Sequence, residues 1–284
     1  MFNKGKMVYR LFSSKGAIAG LAIIIFLVLI AILAPLIAPK GPFAIVATPY
    51  LSPSLKFPFG TDGLGRNIFA QMIWGTRLSL EIAFYSALGI TAIGTVVGLT
   101  SGYLGSIYDE VLMRFVDVIL VIPSIAFMIF VSVLLGPSVF TILIVIIVFG
   151  WPPMARMVRS QVLSLKQRNF IESAKLGGAP PTYIISRLLL PNVTSLIIAN
   201  GILAVVYSIV AEVSLAFLGL SPSNVYSWGT VLYNALNESA IYNHGYLWII
   251  MPGVFIALTG IGITLLARSF SDIIDPRYVG SRRW

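Results

Sequence analysis

Residues 16–38 read GAIAGLAIIIFLVLIAILAPLIA, and no charged residue occurs between Lys15 and Lys40. At about 1.5 Å per helical residue, Gly16 to Ala38 is long enough to cross a hydrocarbon core of about 30 Å. A cleavable signal peptide has an apolar region of only about 7–15 residues. The stretch therefore reads as a retained membrane helix. The rest of the composition agrees: 58% of residues are hydrophobic and 10% are charged, and the mean hydropathy is +0.95. Soluble domains are about 25% charged, so this chain lacks the polar surface needed to solvate a globule. The fold class implied is all-α and polytopic.

Five further apolar segments follow, at about 78–102, 115–135, 138–155, 192–218 and 246–267. The charge-free run from Val118 to Ala155 is too long for one crossing, and Gly136-Pro137 divides it because proline after glycine punctuates a helix. The organisation is one membrane domain over 16–267, with a basic tail at 1–15 and a second tail at 268–284. Segments 39–77 and 221–247 lie on one side, and 156–190 on the other. Fifteen of the nineteen Lys and Arg residues fall on the side holding both termini; Lys40, Lys56, Arg66 and Arg77 fall opposite. The positive-inside bias therefore predicts cytoplasmic N- and C-termini. The net charge of +9 is spread over these flanks, so it reads as a topology signal rather than a nucleic-acid surface. There is no cysteine, which excludes disulfides and thiolate metal sites.

Within the spans, Gly94, Gly98 and Gly102 recur every fourth residue, forming a helix face that a neighbouring backbone can approach closely. Packing within the subunit is the simpler reading; a seam in a moving, pore-lining bundle is the alternative. Glu81 and Asp117 lie near span ends, within reach of water or of an arginine such as Arg77 or Arg114. Glu212 sits deeper, among apolar residues, as a bundle hydrogen-bonding group or a pore residue. The segment 221–247 has no Lys or Arg and is rich in Tyr, Trp and Asn. Such groups can touch a neutral polar substrate or a docking protein, but interfaces collect them in any case. The lone His244 has no partner ligand, so no metal site is expected. No G-x-x-x-x-G-K-[ST] phosphate loop, H-E-x-x-H or G-x-S-x-G is present. An enzyme is not expected.

The polar excursion at 156–190 divides into three pieces. The spacing predicts a helix that continues past the membrane, then a short helix over Asn169–Leu176 stopped by Gly177-Gly178. A further helix opens at Pro180-Pro181 and runs into Leu188–Pro191.

The sequence Glu172-Ser173-Ala174-Lys175-Leu176-Gly177-Gly178, followed by Leu188-Leu189-Leu190-Pro191, resembles the coupling loop of ABC importer permeases. The block Phe59 to Asn67, continuing through Gly75-Thr76-Arg77-Leu78-Ser79-Leu80, is similar to the G-T-D-x-x-G-R-[DN] … G-x-R-x-S-L block of dipeptide, oligopeptide and nickel permeases. Phe217-Leu218-Gly219-Leu220 with Ser227-Trp228-Gly229, and Asp272 with Asp275-Pro276-Arg277, resemble that family's F-L-G-L … S-W-G and D-x-x-D-P-R passages. The chain departs from the pattern at Ser173, Leu188 and Asn67, where alanine, isoleucine and aspartate are usual.

The resemblance implies a type I importer transmembrane domain, the C-type second permease subunit, in a prokaryotic inner membrane. It implies as partners a homologous permease, two cytoplasmic ATPase subunits that bind ATP and Mg, and an external substrate-binding protein. No cofactor is implied for this chain. Glu172, Ser173, Ala174, Gly177, Gly178, Leu188 and Pro191 are expected at the ATPase-coupling interface. Peptides are the expected cargo, with oligosaccharides or nickel as alternatives. An ion-coupled secondary transporter would be favoured by internal repeats and paired midplane charges, and neither is visible. A membrane scaffold is a further alternative.

Overall fold

The computed structural model describes residues 14–242 and 245–274, with side chains described through residue 270. Residues 1–13 and 275–284, Asn243 and His244 lie outside the described residues. So does the side chain of Asp272.

Nine helices are described: α1 Lys15–Ile37, α2 Ile68–Leu104, α3 Ser106–Val121, α4 Ser124–Leu135, α5 Val139–Lys166, α6 Asn169–Leu176, α7 Pro181–Phe217, α8 Trp228–Asn237 and α9 Tyr246–Ile274. Polar side chains start several of them. Ser14, Asn67 and Ser138 accept from the amides of Ala17, Phe69 and Thr141, satisfying donors that the first helical turn leaves free. Five helices are long and apolar enough to cross a membrane: α1, α2, α5, α7 and α9. The α3–α4 pair makes a sixth crossing if taken together.

The helices differ from the apolar segments of the sequence in instructive ways. α2 begins at Ile68, so the last ten residues of the expected 39–77 loop are helical. The expected single span at 115–135 is two helices, broken at Ile122-Pro123 and bent by 89°. Proline has no amide hydrogen and its ring collides with the preceding turn. A window that sees only hydropathy passes over that break. Segment 221–247 contains the amphipathic helix α8, and two of its aromatic residues, Tyr226 and Trp228, are buried rather than interfacial.

α2 forms the spine of the bundle. One side lies along α5 and α7, while α1 packs on α2 and α9, and α9 packs on α7. Gly94, Gly98 and Gly102 face α5. A Cβ placed on Gly98 would sit 2.6 Å from the Ala155 carbonyl oxygen and 2.7 Å from Val158 Cβ. Any side chain there forces the helices apart, an overpacking cost of about 1–3 kcal/mol.

Ion pairs mark both ends. Arg77 pairs with Glu81 at 3.0 Å. Asp117 is met by Arg156 at 2.5 Å, whereas Arg114, the neighbour expected from sequence, lies 4.0 Å from Glu110.

Candidate functional site

The end of the bundle that carries α6 is built in three levels. The deepest is apolar. Ile171, Ile184 and Leu189 are fully buried in one cluster with Val158, Val162 and Val193, so the 167–190 excursion is bolted to α5 and α7. Leu188 packs against the same cluster only in part. Pro191, expected at the coupling interface, is exposed at the second position of the straight part of α7, and the loop is anchored by Ile184 and Leu189. The effect of Pro191 is on the backbone. The preceding turn, Ile184–Leu189, is a π-helix closed by the Leu190 amide donating to the Ile185 carbonyl. Widening that turn makes room for a ring that cannot sit against a straight α turn.

The middle level is charged. Arg159 of α5 grips Asp109 of α3 with two parallel bonds, Nε to Oδ1 and Nη2 to Oδ2, both 2.6 Å. Ser101 of α2 also hydrogen-bonds to Asp109. The two side chains retain 29% and 14% of their exposure, so the pair is largely shielded from water. Beside it, Lys166 of α5 and Lys175 of α6 approach the Tyr103 ring of α2 at 5.9 and 5.6 Å. Cation–π contacts of this kind contribute about 0.5–1 kcal/mol each at exposed sites. α6 is thus held to α2 by its own lysine as well as to α5 by the chain. Nothing in the sequence linked Asp109 to Arg159, fifty residues apart. The partial signal was an acid and a base at the ends of adjacent apolar runs.

The outermost level is the surface of α6. Its C-terminus is a Schellman turn: the Ala179 amide donates to the Ala174 carbonyl and the Gly178 amide to the Lys175 carbonyl, both at 3.0 Å. Gly178 takes φ +77°, the left-handed conformation, while Gly177 has an ordinary φ of −75°. Only Gly178 is required to be glycine by its backbone. Glu172, Ser173 and Gly177 are exposed and Ala174 is half-buried. Two apolar side chains share this surface: Leu176 is 86% exposed and Phe170 42%. The loop presents a small polar helix with an acid, two apolar knobs and a rigid mount.

Glu212 lies elsewhere, near the opposite end of the bundle. It is fully buried, and Ser79 Oγ donates to its Oε2 at 3.1 Å. The Trp228 amide donates to Ser79 Oγ at 3.1 Å, and Trp228 Nε1 donates to Thr76 Oγ1 at 3.0 Å. Glu212 therefore ties α7 to α2 and the start of α8.

Beyond it, the 59–67 block folds as a latch. Asp62 accepts from the amides of Leu64 and Arg66 and from Gln71 Nε2, at 2.7–2.9 Å. Glu238 accepts from the Gly63 amide at 2.5 Å. Burial raises the Glu238 carboxyl above the usual carboxylate range, and the Gly63 amide offsets part of that. Among the described residues, no group of three His, Asp or Glu side chains could hold a metal ion.

Residues 94–280 match the family described as the binding-protein-dependent transport system inner membrane component, and residues 5–56 match the N-terminal transmembrane domain of oligopeptide transport permease C. The dipeptide transport system permease protein DppC of Bacillus subtilis is 36% identical, over 94% of this chain and 84% of that protein. The DppC protein of Alkalihalophilus pseudofirmus is 35% identical, over 94% and 88%. The oligopeptide transport system permease protein OppC of Bacillus subtilis is 34% identical, again over 94% and 88%. With one family model covering the chain from the last turns of α2 through α9, a second covering α1, and relatives matched over nearly the whole chain, the chain belongs to the binding-protein-dependent transport permeases of the inner membrane.

Proposed function

We propose that the chain is the C-type permease subunit of an ATP-driven importer and forms half of its translocation pore. On this reading, α6 is the coupling helix that seats in a groove of a cytoplasmic ATPase subunit. The observation that carries the reading is the contrast within the 167–190 loop. Ile171, Ile184 and Leu189 are fully buried, yet Glu172, Ser173 and Leu176 are presented outward with no role in the fold. A surface so rigidly mounted and so exposed suits the transmission of force to and from a partner.

Glu172 makes a charge-assisted contact with the ATPase, and Ser173 and Ala174 allow close seating. Leu176 and Phe170 fill apolar recesses beside it. Both termini lie in the cytoplasm, following the Lys and Arg bias. ATP with Mg binds on the two ATPase subunits, and this chain holds no cofactor and does no chemistry of its own. ATP binds one arrangement of the complex better than the other, and that difference drives opening toward the external binding protein. The names of the relatives support di- or oligopeptides as cargo over oligosaccharides or nickel.

Affinity purification of the tagged chain from its own membranes tests this reading. A second permease and ATPase subunits should co-purify, and peptide-loaded binding protein should stimulate ATP hydrolysis. A chain that purifies without any nucleotide-hydrolysing partner contradicts it.

A further inference from the structure

We propose that the cavity at the break between α3 and α4 is the cargo-contacting surface of this subunit, and that it holds a peptide by its backbone amides rather than by its charges. This rests on the importer reading above and assigns residues that it left open.

The cavity lies at mid-depth. Along α2, Glu81 and Gly98 bracket the apolar zone, with Gly98 packed on Ala155 beside Arg156. Ile90, which lines the cavity, sits between them, about 13 Å from each level at the helical rise. At that depth the chain abandons helical geometry: Ile122 is extended, and the next helix leaves at 89°. The first amides of α4 have no acceptor within their own helix, and no side chain caps them. Irregular backbone at membrane depth is tolerated where it is buried in protein or lines a watery cavity, not against lipid.

The side chains repeat the point. Ser124, Asn200 and Tyr207 converge on a space of about 310 Å³, which brings the first residue after the break and a phenol of α7 to one cavity. Tyr207 remains 37% exposed and Leu203 42%, so the cavity is open on one side. Across from them lies Pro153, which has no amide hydrogen to offer the Phe149 carbonyl and so leaves that acceptor without its usual helical partner. Gly150 lets the walls meet there, since a Cβ would stand 2.4 Å from Ile90 and 2.9 Å from the Tyr207 ring. No Lys, Arg, Asp or Glu lines the cavity.

Two hydroxyls and one carboxamide, whose Nδ2 is held by the Leu196 carbonyl, stand with a helix terminus on an apolar wall and match the alternating donors and acceptors of an extended peptide. The cavity gives no charged group by which to select or trap a particular side chain. That is the property a conduit for peptides of varied sequence requires.

The natural absence of cysteine makes the test clean. Ser124→Cys and Ala204→Cys place a single thiol in the cavity, and Leu36→Cys places one on an outward apolar face that is 77% exposed. The complete complex in proteoliposomes is treated with a hydrophilic thiol reagent, with and without ATP. The cavity thiols should react about tenfold faster than Leu36→Cys in at least one nucleotide state, a difference of about 1.4 kcal/mol. Saturating peptide with binding protein should slow them. Labelling no faster than at Leu36→Cys in both states overturns the proposal, because lipid or the second permease then covers the site. Fast labelling without peptide protection overturns it too, leaving a water path that does not hold cargo. Peptide-stimulated ATP hydrolysis by the parent complex is measured first. If it is present and labelling fails, only the cavity assignment falls; if it is absent, the importer reading falls and takes the assignment with it. As a second arm, Asn200→Asp should slow uptake of acidic peptides relative to basic ones, and unchanged charge preference counts against the proposal.

Discussion

A Glu172→Lys variant is expected to insert and assemble normally while peptide uptake falls by roughly 10- to 100-fold. The side chain is exposed, and among the described residues no ion pair holds it, so its replacement costs the fold little beyond its favourable place in the first turn of α6. A hydrogen bond to a charged group contributes about 1.5–3 kcal/mol, and each 1.4 kcal/mol is a factor of ten. Reversal adds repulsion where attraction was, so the loss falls at the upper end. Gly178→Val should give a similar phenotype by another route. It forces a β-branched residue to φ +77°, which costs about 1–2 kcal/mol. No atom lies within 4 Å of the new Cβ, so the strain tilts α6 rather than disturbing the core. Uptake and ATP hydrolysis measured on the same proteoliposomes check both. Normal uptake in the two variants removes the coupling role from α6.

Breaking the clasp beneath α6 should have the largest effect on assembly. Asp109→Ala leaves the Arg159 guanidinium largely shielded without its partner. Removing one member of a buried pair costs about 3–5 kcal/mol, and the remaining exposure of 29% and 14% places this site near the lower bound. The yield of folded complex after extraction should drop severely. Replacing both members by apolar residues, Asp109→Leu with Arg159→Met, should restore much of the yield, because neither charge is then stranded. Uptake should stay low in that double variant. The bidentate pair fixes the angle between α3 and α5, and a greasy contact of similar volume does not. Full recovery of uptake would make the clasp a stabilising element with no part in transmission.

These two sites differ in how far the sequence exposes them. The short helix Asn169–Leu176 and its glycine stop are local features, decided by composition and turn chemistry over ten residues, and the helix forms over those bounds. The long apolar runs are equally legible, since lipid imposes a length on each of them. The break at Ile122-Pro123 is a local feature as well, but it is hidden inside a run that stays apolar on both sides. Hydropathy cannot register a bend. The Asp109–Arg159 clasp and the burial of Ile184 and Leu189 depend on which helices become neighbours. The resemblance singled out Leu188 and Pro191, but only the packing shows that Leu189, between them, is the residue that buries the loop. Tyr226 and Trp228 misled for a related reason: aromatic residues near a span end suit an interface, but Trp228 is turned inward against α2 and α9 and Tyr226 is buried against Arg66 and Phe43.

If α6 seats on an ATPase subunit, a disulfide should trap the contact. Ser173→Cys provides the sole thiol of this chain on the exposed face of α6. Paired with cysteines placed along the groove of a cysteine-free ATPase subunit, it should cross-link within the assembled complex, and Ser223→Cys at the opposite end of the bundle should not. Cross-linking at Ser223→Cys with none at Ser173→Cys would mean that α6 is not the face that meets the ATPase.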